Sequence, residues 1–344
     1  IEDVLRDRAE ALGEGDRRAF VMTAARAQRR ADRAAIAAAA ALPLRDVDFD
    51  AGSIAVHGRR ARAEVTMRYG ITGVRGTFQS TRRMEFVNSG GSWQVATVRG
   101  ARGRPPWEVG RFAVRRTRHF VVLAPRGAAA GDLAAALESG YRAMRSRLPL
   151  GRLRRRYLVI AAADPGQARA LTSQIRGLRS LAAISDATIN ERGPARAVSS
   201  VVSLRLLVVY SAFARLGAEG QRRTIAHELT HAALAGSTSG RTPAWLVEGV
   251  AMYVSGDRRP PPPDAHLAPL SRPAAIAKLS GPAQARAYAA SSAAAFAIVD
   301  RFGAGKLLAL FDAFNAPDLR GPPGPKLAER ALRRELGVGL ADLE

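Results

Sequence analysis

The sequence is best interpreted from one stretch, Thr-Ile-Ala-His-Glu-Leu-Thr-His-Ala-Ala-Leu, at residues 224–234. Its apolar residues recur as on one side of a helix, so they can pack while the polar side chains face a cleft. Four residues advance a helix by about 400°, which places His227 and His231 on one face, one turn apart. Two imidazoles need this spacing to bind one zinc ion. Glu228 lies beside them, within reach of a metal-bound water and not of the metal.

A pair of core histidines is the alternative interpretation of this helix. The chain has only five His residues, however, and two of them stand in this one pattern. Coincidence is therefore a poor explanation, and the pattern predicts a zinc site with His227 and His231 as metal ligands and Glu228 as the catalytic residue.

A catalytic zinc site normally has a third protein ligand. The chain has no Cys, so this ligand must be His, Asp or Glu. Downstream, Glu248 is the only acid in the apolar run at 243–254, and a lone carboxylate on a buried helix is costly unless it is paired or binds a metal. Glu248 is the predicted third ligand, a salt-bridged Glu being the alternative, and Gly249 beside it allows close approach of a second helix.

The charge balance is strongly basic, with 53 Lys+Arg against 30 Asp+Glu and a formal net charge of +23. Only three of the basic residues are Lys, and the charge is spread along the chain, so it is not a concentrated stripe. Aromatic residues make up 6%, which argues against nucleic acid as a partner. The cluster of arginines at 152–156 is typical of a solvated turn, or else could hold an anionic polymer or lipid head groups. The lack of Cys excludes a disulfide scaffold, thiolate metal sites and a Cys nucleophile.

Period-two and helical patterns divide the chain into two domains of an α+β protein. Residues 1–42 read as helices, with Asp16 as an N-cap, and residues 53–99 as short alternating strands. A linker at 103–107 follows, which predicts domains at 1–106 and 107–344. The second domain begins with a mixed set of strands and helices, and from residue 218 onward almost every signal is helical.

The motifs of the second domain resemble those of the gluzincin zinc metallopeptidases, closest to the peptidase MA-like group. The motifs that carry the resemblance are His-Glu-x-x-His at 227–231, Trp-Leu-x-Glu-Gly-x-Ala at 245–251, Tyr-Ala-Ala-Ser at 288–291 and Phe-Gly-Ala-Gly-Lys-Leu at 302–307. The resemblance implies a zincin-like mixed sheet with a mainly helical C-terminal subdomain, and a strand near Ser203–Tyr210 that pairs with an extended substrate. It also implies Tyr288 as a donor to the oxyanion.

The first domain resembles the NTF2-like (SnoaL-type) family through its Gly15-Asp16 helix start and the strands that end near Trp93. That resemblance implies helices on a curved antiparallel sheet in a packed accessory domain. An occupied apolar cavity would instead indicate that the domain binds a small ligand.

Together these patterns predict a zinc-dependent peptidase, an endopeptidase acting on a peptide or protein substrate. The alternative is a non-catalytic binding module in which a structural or silent zinc site accompanies docking on an anionic cell-surface polymer or membrane. No apolar stretch is long enough to span a bilayer, and the sequence opens at Ile1. Family likeness suggests an exported or membrane-tethered bacterial protein on the outer face, with any targeting segment upstream of this sequence.

Overall fold

The computed structural model describes residues 1–100, 103–125, 130–172, 182–193 and 197–344. It confirms the α+β class, with one four-stranded antiparallel sheet, one five-stranded mixed sheet and a helical C-terminal part. Within these ranges, no helix combines the length and the apolar character that crossing a bilayer requires.

The described residues form twelve α-helices and nine strands. The helices are α1 (Glu2–Glu14), α2 (Arg17–Met22), α3 (Arg29–Ala39), α4 (Pro106–Val109), α5 (Ala130–Arg145), α6 (Pro165–Leu171), α7 (Tyr210–Phe213), α8 (Ala218–Leu234), α9 (Ala244–Ser255), α10 (Gly281–Phe302), α11 (Ala304–Ala313) and α12 (Pro325–Leu336). The strands are β1 (Leu44–His57), β2 (Arg60–Ile71), β3 (Phe78–Ser89), β4 (Ser92–Arg99), β5 (Phe112–Arg116), β6 (Phe120–Pro125), β7 (Tyr157–Ala162), β8 (Ala183–Arg192) and β9 (Ala197–Val209).

The chain forms two compact units. The first comprises Ile1–Ala130, Arg156–Ile175 and Leu207–Tyr210, and the second Gly131–Arg155, Arg176–Leu206 and Ser211–Glu344. The predicted domain boundary between residues 106 and 107 stays a prediction. The sequence pattern also predicts a helix over residues 128–148; this range starts outside the described residues, and its described part contains α5.

In the first unit, α1 packs on an antiparallel sheet whose strands follow the order β1-β2-β3-β4. The core between them is apolar, with Leu5 from the helix against Val65, Phe86 and Val95 from the strands. Asp16 caps α2 as predicted. Its Oδ1 accepts hydrogen bonds from the backbone N–H groups of Arg18 and Ala19 in the first turn, each at 2.9 Å.

Strand β1 begins at Leu44, well before the first strand expected from the sequence. Its early residues alternate exposed acids with the half-buried Val47 and Phe49, which is the period-two pattern of a strand. On the exposed side, Asp48 and Asp50 pair with Arg68 of β2 at 3.3 and 3.1 Å, so cross-strand ion pairs stabilise this part of the sheet.

The second sheet has the strand order β5-β6-β7-β9-β8, with β5 antiparallel and β7 parallel to β6. Strand β9 therefore has a neighbour on each side. The expectation that Ser203–Tyr210 pairs with a substrate is wrong for this reason, because an inner strand has no free row of hydrogen-bonding groups. The two edge strands of the sheet are β5 and β8.

The helices of the second unit surround α9, which packs against both α8 and α10. Helix α9 is apolar on nearly every side, as a helix buried among others must be. Gly249 permits the approach to α10, because a Cβ at this position would lie 2.6 Å from the carbonyl oxygen of Ser291 and 3.0 Å from the Cβ of Ala295. The close approach predicted from this glycine is therefore confirmed.

Candidate metal centre

Three predicted ligands from two helices meet at one point of the second unit. The Nε2 atoms of His227 and His231, both on α8, lie 3.0 Å apart. One carboxylate oxygen of Glu248, on α9, lies 3.2 Å from the first nitrogen and 3.5 Å from the second. This trio can hold a metal ion.

The donor set fits zinc. Bonds of about 2.0–2.1 Å in tetrahedral geometry place neighbouring donors roughly 3.3–3.4 Å apart, close to the three distances found. The Oε2 atom of Glu248 is buried and receives no hydrogen bond, although both imidazoles lie near it. A buried carboxylate oxygen without a donor is costly, and a cation held by all three atoms removes that cost.

The electrostatics of the three groups also favour a cation. Burial alone would raise the pKa of Glu248, but the two imidazoles, His231 first, outweigh it and hold that pKa well below its usual range. Burial disfavours the imidazolium of His231, yet the charge of Glu248 raises the pKa of His231 to about 9. The trio therefore stabilises positive charge among its donors, as a zinc site must.

Helix α8 is fixed by a close contact with α5 on its opposite side. A Cβ on Gly140 of α5 would lie 2.5 Å from the Cγ2 of Ile225 and 3.1 Å from the backbone nitrogen of Ala226. The turn that carries His227 therefore packs directly on a glycine, which leaves little freedom for the helix to shift.

The loop between α8 and α9 is held by a buried arginine. Arg241 is 3% exposed, and its guanidinium donates to the carbonyl oxygens of Phe314 and Ala316, each at 2.9 Å, and to that of Leu319. A guanidinium has five donors in a rigid plane and can bind several carbonyls at once. These bonds fix where α9 begins, and with it the position of Glu248.

Glu228 points its carboxylate toward β8 and not into the trio. The backbone N–H of Ser185, on β8, donates to Oε2 of Glu228 at 2.7 Å. Burial raises the pKa of Glu228 above its ordinary value, although the two imidazoles act against this shift. Ser185 escaped prediction because a backbone donor leaves no signal in the residue type.

Tyr288 of α10 lies beside the trio, with its ring centroid 6.5 Å from that of His227. Burial and the negative charges of Glu248 and Glu228 raise its pKa, so the phenol keeps its proton at neutral pH. The structure thus brings all five predicted site residues together, two of them as far apart in sequence as 227 and 288.

Arg259 is a further residue near Tyr288 that the sequence did not suggest. Its guanidinium carbon lies 5.9 Å from the Tyr288 ring centroid, and the side chain pairs with Asp257 at 2.6 Å. Its backbone N–H donates to Oγ of Ser292, one turn beyond Tyr288 on α10, at 2.9 Å. Arg259 follows α9 with no recognisable motif, so only the folded chain places it here.

The trio is accessible from solvent. The side chains of His227, His231 and Glu248 are 18–20% exposed, whereas Leu229 and Thr230 on α8 and Gly249 and Val250 on α9 are buried. A buried structural site would be closed on all sides, whereas partial exposure leaves room for water and a substrate at the fourth position.

Comparison with known proteins gives little for this chain. No model of a known protein family matches it, and no curated protein matches it either. Among solved structures, it is similar to the solution structure of a SEC-C motif-containing protein from Rhodopseudomonas palustris, with 18% identity over 28% of this chain and 74% of that one. The TM-score of that match is 0.23, which is too low to carry an argument about fold or function.

Proposed function

We propose that this chain is a zinc-dependent peptidase of the endopeptidase type. The observation that carries the proposal is the meeting of the Nε2 atoms of His227 and His231 with a carboxylate oxygen of Glu248, at distances that suit one zinc ion. A second carboxylate, Glu228, lies on the same helix and is held away from the donors. Three ligands plus a separate base form the set that metal-assisted hydrolysis needs.

When bound, one Zn²⁺ polarises a carbonyl group and lowers the pKa of water. Glu228 takes the proton of the attacking water and delivers it to the leaving amine. The N–H of Ser185 occupies Oε2 of Glu228, so Oε1 is the oxygen left to carry the proton. The raised pKa of Glu228 suits this transfer, because a base works best when its pKa lies nearer the working pH.

Tyr288 is proposed to donate its phenolic proton to the developing oxyanion. Its raised pKa keeps it protonated, which a hydrogen-bond donor requires. The substrate is proposed to pair with β8, since of the two edge strands β5 and β8 it is β8 that carries Ser185 beside Glu228. Pairing by main-chain hydrogen bonds would bring an extended peptide past the base.

The test is zinc content and peptide hydrolysis measured on the same preparations. The wild-type chain should bind one zinc per chain and cleave a quenched-fluorescence peptide library. Glu228→Gln should keep the zinc and lose roughly 10²–10⁴ in rate, since it removes only the base. Glu219→Gln, an exposed acid at the start of the same helix, is the matched control and should change neither.

Each result separates the alternatives. If the wild-type protein contains no zinc, His227, His231 and Glu248 do not form a zinc site and the proposal is contradicted. Zinc binding with no hydrolysis, and salt-sensitive retention on an anionic polymer or vesicle, would favour the non-catalytic binding module. Undiminished hydrolysis by Glu228→Gln would refute the role of Glu228.

A further inference from the structure

We propose that the first unit binds a small amphipathic organic anion, in a cavity lined by α3 and by all four strands of its sheet. The cavity has a volume of about 580 Å³. Pockets for small molecules typically measure roughly 300–1,000 Å³, so the space suits one ligand with an apolar body of one or two rings or a short chain.

The space exists because one face of α3 is built from alanine. Helix α3 lines the cavity with four alanines at the spacing of one helix face and with Asp32; the alanines are Ala31, Ala34, Ala35 and Ala38. The strands contribute larger apolar side chains, namely Phe49, Met67, Met84 and Val98. The alanine methyl groups on the helix side are too short to reach the larger apolar side chains on the strand side, and the space between them can hold an apolar group. Ala31 and Ala34 are exposed, so the cavity opens to solvent along α3.

A buried arginine in the wall points to the charge of the ligand. Arg8 is 4% exposed, and its Nη1 donates to Asp32 at 2.6 Å and to Thr23 at 2.9 Å. Its Nε atom is buried with no hydrogen-bond partner, and its Nη2 meets no acceptor among the described residues. The guanidinium carbon lies 4.0 Å above the ring of Phe20, which holds the group in place.

Unused donors of this kind call for an acceptor. Nearly all buried polar groups in folded proteins are hydrogen-bonded, and a guanidinium binds carboxylates and similar oxyanions through two parallel bonds. Asp32 accepts from Nη1 of Arg8 through one oxygen and from Nε2 of Gln28 at 2.9 Å through the other, and neither oxygen accepts from Nε of Arg8. An anionic head group entering the cavity would supply the missing acceptor for Arg8.

The charge around the cavity is also positive. The charged residues that line it are four arginines and two acids: Arg8, Arg82, Arg104, Arg111, Asp32 and Glu108. Glu108 lies 3.3 Å from Arg82 and 3.5 Å from Arg104 and so is already paired. The surplus of two positive charges favours an anion and disfavours a cation of the same shape.

The test is fluorescence titration of the full chain with 8-anilino-1-naphthalenesulfonate, an aromatic anion that fits the proposed class. Wild type should bind one equivalent in a saturable manner. Ala35→Leu should fill the cavity and weaken binding at least tenfold, whereas Ala40→Leu, exposed just beyond α3 and outside the cavity, should not. Both variants keep every charged residue, so a difference in probe binding between them reports the cavity and not adsorption of the probe to the basic surface.

Two further measurements test the anionic head group. Arg8→Lys keeps a cation beside Asp32 but removes the unused donors, and should weaken the probe at least tenfold while the thermal midpoint stays within a few degrees. The uncharged analogue N-phenyl-1-naphthylamine should bind wild type at least tenfold more weakly than the sulfonate. If Ala35→Leu and Ala40→Leu bind the sulfonate probe equally, the cavity is not the binding site. If wild type binds the two probes equally, the site does not prefer an anion. If Ala35→Leu does not fold, Ala31→Leu at the mouth takes its place with the same criterion.

Discussion

The contact between α9 and α10 should control both stability and metal affinity, and Gly249→Ala tests this directly. The added Cβ would lie 2.6 Å from the carbonyl oxygen of Ser291, a backbone atom in the middle of α10. Ordinary contacts of a Cβ begin at 3.4 Å, so the helices must separate by about 0.8 Å at this point. No side-chain rotation can relieve the overlap.

Two opposing energies decide the effect on stability. Replacing Gly by Ala inside a helix gains about 1 kcal/mol in propensity. Overpacking of one methyl group into a tight contact costs about 1–3 kcal/mol. We expect a net loss of about 1 kcal/mol, which lowers the thermal midpoint by roughly 2–4 °C for a compact unit of this size.

The larger effect should fall on zinc binding. Glu248 is the neighbour of Gly249 in α9, and donor distances in a metal site hold to within about 0.2 Å. A shift of several tenths of an ångström in α9 should therefore weaken zinc affinity about tenfold or more. Competition with a chromogenic chelator measures this affinity, and circular dichroism the midpoint.

Gly305→Ala is the matched control. This glycine lies in α11, and a Cβ there would meet nothing within 4 Å, so the variant should be as stable as wild type or more stable and bind zinc equally. If Gly249→Ala behaves like Gly305→Ala in both assays, the close approach of α9 and α10 does not position Glu248, and the reasoning is refuted.

Three further results are expected. Glu248→Gln should reduce zinc affinity at least about 100-fold in the chelator assay while the far-ultraviolet spectrum is retained, because a neutral amide replaces a charged ligand; unchanged affinity would remove Glu248 from the site. Tyr288→Phe should lower kcat roughly 10²–10³-fold with zinc content unchanged, since it removes one oxyanion donor; an equal kcat would leave Tyr288 as a packing residue. Arg241→Met should cost about 3 kcal/mol in urea unfolding because it leaves buried carbonyls without donors, and a loss below about 1 kcal/mol would show that water replaces the guanidinium.

The sequence predicted those parts of the site that depend on local spacing. His227 and His231 share a helix face because they are four residues apart, about one helical turn. Glu248 stands out because no other acid interrupts its apolar run. Tyr288 followed only from family resemblance, since nothing in its own helix marks it. The family assignments and the exported location stay predictions.

Other features depend on tertiary structure and could not be predicted. Ser185 contributes a backbone N–H, which every residue type except proline would offer. The order of strands in the second sheet decides that β8 and not β9 forms its edge, and strand order is set by contacts far apart in the chain. Likewise, the pairing of Asp48 and Asp50 with Arg68 could not be predicted, because it depends on the register of β1 against β2.

The division of the ligands between two helices has a consequence for folding. His227 and His231 approach each other as soon as α8 forms, but Glu248 joins them only when Gly249 packs on α10 and Arg241 fixes the preceding loop. An unfolded second unit therefore brings together at most two of the three proposed donors, so zinc should bind the folded state more tightly. Ligand linkage then predicts that zinc at 100 times its Kd stabilises this unit by about 2.7 kcal/mol. Because Glu228→Gln leaves all three donors in place, it should keep this stabilisation in full, whereas Glu248→Gln should lose most of it; the same loss in both variants would mean that Glu228 is a ligand and not the base.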